Sequence, residues 1–277
     1  MSYKRVLTIQ DISCVGQCSL TVALPIISAC GVEACPLPSA VLSTHTGGFK
    51  GFTFRDLTED MPLIKEHWMK EGLLFDAIYT GYLGSVKQID YVADILEDRG
   101  RDGAFKIIDP AMADHGKLYT GFDTDFVTAM KGLCAKADYL LPNITEACFL
   151  TDTEYRETYD RAYVDDLINK LTALGCKGVV FTGISFEKGR TGVIVHENGV
   201  STYYEHEMLP NSCHGTGDIY ASAFTGALVR GKSAIEAARI AADYTVDCIR
   251  ATASVEGHWY GACFETSLIK LIEAVSK

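Results

Sequence analysis

The chain reads as an α/β protein with a mostly parallel sheet covered by helices on both faces, and two observations predict it. Short β-rich apolar runs alternate with helix-period segments along most of the 277 residues. That βαβα rhythm forces right-handed crossovers and helices on both sheet faces. Only after residue 182 does the pattern change, to a hairpin and then long alanine-rich helices.

Residues 5–9, 33–37, 77–80, 106–109, 139–141 and 179–182 are expected as strands. Helices are expected over 20–30, 62–71, 86–99, 124–137 and 161–174. Residues 191–196 and 200–205 alternate around a turn closed by Asn198-Gly199, which reads as a hairpin. A loop over 208–217 follows, then helices over 218–230, 234–251 and about 264–275. No linker, repeat or low-complexity stretch interrupts the series, so residues 1–277 are expected to form one domain.

Bulk properties narrow the function. The composition, 48% hydrophobic and 22% charged, belongs to a globular protein with a large core. A net charge of −11 without a basic, aromatic-interleaved patch argues against nucleic acid as a partner. The N-terminal apolar run is too short for a signal peptide and no segment has membrane-spanning length, so the expectation is a cytoplasmic protein that binds no membrane. Ten cysteines include no C-x-x-C pair, and several sit among apolar neighbours, as Cys148 does; they read as free thiols.

Two stretches compete as phosphate sites. GALVRGKS, residues 226–233, matches the spacing of a phosphate-binding loop. Such a loop needs a strand before it, whereas the residues preceding Gly226 have helical spacing. Gly231 is better explained as a left-handed C-cap, and Ser233 with Glu236 as the capping box of the next helix. HGTGDIYAS, residues 214–222, is the stronger signal, because a glycine-rich turn opens directly onto a long helix. The free N–H groups there make an anion cradle at the positive end of the helix dipole. Asp218 begins that helix, either as an ordinary capping carboxylate or as a general base beside the cradle.

The pieces VLTIQD (6–11), STHTGG (43–48), TGYLGS (80–85), DPAM (109–112), LPNITEA (141–147), FTG (181–183) and HGTGD (214–218), in that order, resemble the pyridoxal kinases of the ribokinase superfamily. The resemblance spans essentially the whole chain. It implies a ribokinase-like three-layer sandwich and ATP-dependent phosphorylation of the hydroxymethyl group of vitamin B6 vitamers. It also implies Mg²⁺, a homodimer and, as a further family expectation, a monovalent cation such as K⁺ near the anion hole.

By the same resemblance Asp218 matches the catalytic base, and Gly215, Thr216 and Gly217 the anion hole. Asn143 and Glu146 match the pair that organises Mg²⁺ and its waters. Asp109 matches an acidic residue near the ATP phosphates and metal, and Thr182 a hydroxyl contacting those phosphates. Asp114 and Tyr119 fall in a stretch resembling the loop that closes over phosphates and substrate. Asp11, Thr46 and Tyr82 match substrate contacts, although many pyridoxal kinases carry Ser where this chain has Asp11. From local pattern alone, Glu146 is equally a first-turn carboxylate complementing a helix dipole, and Thr182 a strand threonine. The hydroxymethylpyrimidine kinases of thiamine synthesis are the alternative. They share the fold but typically carry Cys where this chain has Asp218, and Cys213 lies outside that position.

Overall fold

Alternating apolar residues sort each central strand between two cores. Val6, Tyr79, Ile107 and Val180 point to one face of the sheet, and Leu7, Ile78, Ile108 and Val179 to the other. Fully burying a side chain of this size contributes roughly 1.5–3 kcal/mol, so both faces must be covered. The computed structural model describes residues 3–210 and 213–277. Positions 211 and 212, within the loop expected over 208–217, lie outside the described residues.

The elements run β1 (Arg5–Ser13), α1 (Leu20–Ala29), β2 (Glu33–Leu42), β3 (Phe54–Asp56), α2 (Asp60–Lys70), β4 (Phe75–Thr80), α3 (Val86–Asp98) and β5 (Gly100–Ile108). There follow β6 (Ala113–Asp114), β7 (Lys117–Leu118), α4 (Thr124–Cys134), β8 (Tyr139–Leu140), α5 (Ile144–Leu150), α6 (Arg161–Ala173) and β9 (Gly178–Ile184). The chain finishes with β10 (Arg190–Glu197), β11 (Val200–Glu207), α7 (Thr216–Val229), α8 (Ala234–Ala253) and α9 (Leu268–Ser276).

The sheet order is β11-β10-β9-β8-β5-β4-β1-β2-β3. The six strands from β9 to β2 pair in parallel; β3, β10 and β11 are antiparallel additions at the two edges. Helices α1, α7, α8 and α9 cover one face and α2 to α6 the other. The strands leave β1 in opposite directions, toward β2 on one side and β4 on the other. That divergence opens a crevice at their carboxyl ends, the usual ligand position in such sheets.

Sequence and structure differ where polar residues or short elements interrupt the pattern. β1 continues past Ile9 through Gln10 and Asp11, whose buried polar side chains broke the apolar run. β2 continues past Leu37 and tolerates Pro36 and Pro38, because β3 covers its outer edge only from Ala40 to Leu42. The strand β3, the β6–β7 hairpin and helix α5 have three, two plus two, and seven residues, too few for a periodicity to declare.

The glycine corner at 230–233 is the helix-to-helix turn that its sequence predicts. Gly231 has φ 98° and follows the last turn of α7, while Ser233 and Glu236 form the capping box of α8. The residues directly before Gly226 are helical, not a strand. Within α7 every residue from Ile219 to Val229 is buried, the polar Tyr220, Ser222 and Thr225 included, as in a helix enclosed by the core. Gly226 lets α1 approach, since a Cβ there would stand 2.5 Å from Cys30 Sγ.

Candidate active site

The carboxyl ends of the central strands gather most of the singled-out residues. Asp11 lies in β1, Tyr82 follows β4, Asp109 follows β5, Asn143 follows β8, and Thr182 sits near the end of β9. Helix α7 starts against them.

Asp218 is half-buried in the first turn of α7, and Ser19 donates its backbone N–H to Oδ2 at 3.0 Å. Burial raises its pKa from the usual 3.8 to about 6; the Ser19 bond opposes the rise and the charge of Asp11 adds to it. A carboxylate so tuned is ionised at neutral pH yet basic enough to take a proton. Asp11 is itself 5% exposed and raised by burial, against the hydroxyls of Ser19 and Ser13; Ser13 Oγ donates to it at 3.0 Å.

The turn before Asp218 is left open. Gly215 is the N-cap, at φ 77°, and among the described residues no side chain caps the helix. A side chain at 215 is excluded twice over, by that left-handed backbone and by Gln17 O, which would stand 2.2 Å from its Cβ. At Gly217 no described protein atom lies within 4 Å of the Cβ position. Glycine at 217 therefore keeps open space beside uncapped N–H groups, the requirement for close approach of an anion. Thr216 turns its hydroxyl back to Cys213 O at 3.3 Å. The nearest thiol is Cys18, whose Sγ would be 3.3 Å from a Cβ at 215. Burial, with Asp218 and Asp11 nearby, pushes that thiol up and keeps it protonated.

Asp109 and Glu146 form a second acidic group. Burial raises both, and Asp109 is raised further by the charges of Glu146 and Asp218. Asn143 and Glu146 make a reciprocal capping box on α5: Asn143 Oδ1 accepts the Glu146 N–H at 3.0 Å and Glu146 Oε2 accepts the Asn143 N–H at 2.9 Å. Glu146 Oε1 accepts the Met112 N–H at 3.0 Å, and Asn143 Nδ2 donates to Ala113 O at 2.9 Å. Asp109 Oδ1 accepts the Ala111 N–H at 3.1 Å. The N-x-x-E spacing thus has a structural use, tying α5 to the segment that follows Asp109.

Among the described residues no group of three or more His, Cys, Asp or Glu side chains is arranged to hold a metal. A buried Glu146 and a half-buried Asp109 that repel one another nevertheless fit Mg²⁺, a hard cation that takes one or two protein carboxylates and fills its shell with waters and phosphate oxygens. Thr182 Oγ1 donates to Pro142 O at 3.2 Å.

The remaining sequence-derived positions are more open. Asp114 is exposed on the β6–β7 hairpin, which is anchored to α5 where the Gly116 N–H donates to Thr145 Oγ1 at 3.0 Å. Tyr119, 41% exposed, is held un-ionised by desolvation and by the charges of Glu146, Asp114, Asp109 and Asp218. Tyr82 stacks on Phe122 with centroids 5.6 Å apart, and burial with the Asp11 charge raises its hydroxyl. Thr46 is exposed, whereas its neighbour His45 is buried. His45 accepts the Gly47 N–H at Nδ1 and so donates from Nε2 to Tyr260 O. Ser19 and Gln17 escaped sequence reasoning, because a contact to a residue 199 positions away leaves no local pattern.

The model of the phosphomethylpyrimidine kinase family matches residues 24–263. The chain belongs to that family. Among the relatives of this chain are proteins named for a neighbouring chemistry. A Bacteroides thetaiotaomicron protein, provisionally assigned as a phosphomethylpyrimidine kinase and solved with pyridoxal, superimposes with a TM-score of 0.90 and 36% identity over 100% of this chain and 96% of its own. The pyridoxal kinase of Lactobacillus plantarum gives 0.91 and 30% identity over 98% of both chains. The pyridoxal kinase of Dictyostelium discoideum is 26% identical over 244 residues, 82% of this chain and 78% of its own length. The mostly parallel sheet covered on both faces is the ribokinase-like architecture of these relatives.

Proposed function

We propose that this chain phosphorylates the 5′-hydroxymethyl group of vitamin B6 vitamers, pyridoxal among them, with ATP as donor. The observation that carries the reading is the pairing of Asp218 with the open turn before it. A half-buried carboxylate with one oxygen held by Ser19 stands beside N–H groups that no described side chain caps and the open space at Gly217. That is the equipment for deprotonating an alcohol while stabilising phosphoryl charge. The pyridoxal found with the Bacteroides relative supports the substrate class.

In this reading the substrate lies in the crevice between β1 and β4, near Asp11, Tyr82 and the 43–49 loop that carries Thr46. Asp218 takes the proton of the hydroxymethyl group as its oxygen attacks. The γ-phosphoryl group passes over residues 215–217, whose N–H groups meet the charge developing on its oxygens; one such contribution typically supplies about 3 kcal/mol. Asp109 and Glu146 would hold Mg²⁺ and its waters, and the ion when bound neutralises phosphate charge. Thr182 contacts the donor's phosphates, and the hairpin with Asp114 and Tyr119 closes over them to exclude water.

The family's description favours a second reading, hydroxymethylpyrimidine as acceptor. One assay separates them: ATP- and Mg²⁺-dependent phosphorylation of pyridoxal, pyridoxamine, pyridoxine and hydroxymethylpyrimidine, beside Asp218→Asn. Turnover of a B6 vitamer that is lost in the variant is the expected result. Turnover of the pyrimidine alone moves the protein to the second reading, and inactivity on all four refutes both.

A further inference from the structure

The loop between β1 and α1 has an unusual backbone. Gly16 has φ 132°, Gln17 φ 52° and Ser19 φ 55°, and the last two are side-chain-bearing residues in a sparsely populated region. Such conformations persist only where surrounding contacts over-determine them, and they concentrate at functional sites. Here the strained run ends on the Ser19 N–H that binds Asp218 Oδ2.

Gln17 is where the fixing contacts converge. Its Nε2 donates to Glu265 Oε1 at 2.9 Å, and its Oε1 accepts from His258 Nε2 at 3.0 Å. Two glycines from distant segments make room for it. A Cβ at Gly215 would meet Gln17 O at 2.2 Å, and one at Gly261 would meet Gln17 Oε1 at 2.7 Å. The segment carrying Glu265 is itself anchored next to it: Tyr244 OH donates to Phe264 O at 3.1 Å, and the Cys263 N–H to Thr252 Oγ1 at 2.7 Å.

We propose that Gln17 is a positioning residue, clamping the 16–19 loop between the anion-hole turn and the 258–265 segment so that the Ser19 N–H holds one oxygen of Asp218 and leaves the other for the substrate alcohol. The proposal rests on Asp218 acting as the base. The ionisable groups facing Asp218 are Asp11 in β1, Asp109 after β5, Cys18 in the loop, Tyr79 in β4 and Tyr119 after β7. The Ser19 bond favours the ionised form of Asp218, so a slack clamp lets its pKa rise.

The test uses the full chain and reads kcat, KM for pyridoxal and ATP, melting temperature, and the acid limb of kcat against pH. Gln17→Glu sets a carboxylate against Glu265, and Gln17→Glu with Glu265→Gln exchanges donor and acceptor and restores the pairing. Gln17→Ala, which adds no repulsion, serves should Gln17→Glu not fold. We expect the single variants to lower kcat about tenfold, the scale of one hydrogen bond to a charged group. Both KM values should stay near wild type and the acid limb should move to higher pH; the double variant should restore rate and limb together. An unmoved limb in both single variants overturns the clamp, as does a double variant that recovers its melting temperature but not its limb. Wild-type activity in Asp218→Asn would instead overturn the base itself, and the clamp with it.

Discussion

Helices α7 and α8 both begin near a glycine turn, yet their first turns are finished in opposite ways. At α8, Glu236 Oε2 accepts the Ser233 N–H at 2.9 Å and the Ser233 hydroxyl at 2.6 Å, and Ser233 Oγ accepts the Glu236 N–H. At α7 the N-cap is Gly215, with no side chain to turn inward, and the next glycine faces open space. The stretch with the better-known phosphate spacing is therefore the closed one, and the stretch without it is open. Spacing alone does not make an anion site; donors left without a partner do.

The largest effect should come from the open end. Asp218→Asn is expected to lower kcat by at least about a thousandfold, the scale of removing an essential proton acceptor, while calorimetric affinity for pyridoxal is kept. Its stability should move the other way. The folded pKa of about 6 lies above the usual 3.8, so the partly desolvated charge is penalised fully above pH 6 and not below pH 4. A difference of that size corresponds to about 3 kcal/mol between the folded and unfolded chains. Asp218→Asn should thus melt higher than wild type at pH 8 and no higher at pH 4. In the wild type, kcat should fall as pH drops through about 6, because the base is then protonated.

The two glycines sharpen the comparison. Gly215→Ala must displace Gln17 O and hold alanine at positive φ, so both melting temperature and activity should drop, by about 1–3 kcal/mol for the backbone strain alone. Gly217→Ala meets no described protein atom and should fold as well as wild type, or better by up to about 1 kcal/mol given helix propensity. Its activity should nonetheless fall about a hundredfold, if a phosphoryl group uses that space. Equal loss of stability in the two variants would break the distinction.

Glu146→Ala is intermediate. It leaves the Met112 and Asn143 N–H groups unpartnered, which should cost about 1–3 kcal/mol in denaturant titrations, and should raise the Mg²⁺ concentration needed for half-maximal rate. The smallest effects belong to the closed corner. Ser233→Ala should cost about 1 kcal/mol of stability with no change in kcat, and Lys232→Ala should leave ATP affinity unaltered. A collapse of nucleotide binding in Lys232→Ala would reopen the phosphate-loop reading of residues 226–233.

The fold was legible because strands such as 77–80 and 106–109 carry apolar side chains for both cores, and their helices repeat at 3.6. The turn before Asp218 was legible because a G-x-G opening a helix has a physical meaning without any partner in view, whereas a base rather than a cap at Asp218 is implied by the resemblance alone. Asn143 and Glu146 were legible as a spacing, but that spacing has two physical uses, and only the folded chain displays the capping box. Ser19 and Gln17 were not legible at all: their work is done by backbone conformation and by contacts to residues 199 and 248 positions away. Thr46 and Asp114 stand exposed, so their expected contacts depend on substrates arriving.

The continuous burial of α7 from Ile219 to Val229, wedged against α1 at Gly226, has a consequence for how the protein fails. Asp218 sits at the head of this central structural beam, one residue before its continuously buried stretch begins. Amide protons along that beam should exchange with solvent only when the whole molecule opens. Heat inactivation and global melting should then coincide, without an intermediate that is folded and dead. On the proposed reading, adaptation to a different ring would fall to the 43–49 loop and the 113–119 hairpin, while Asp218 stays where the core holds α7.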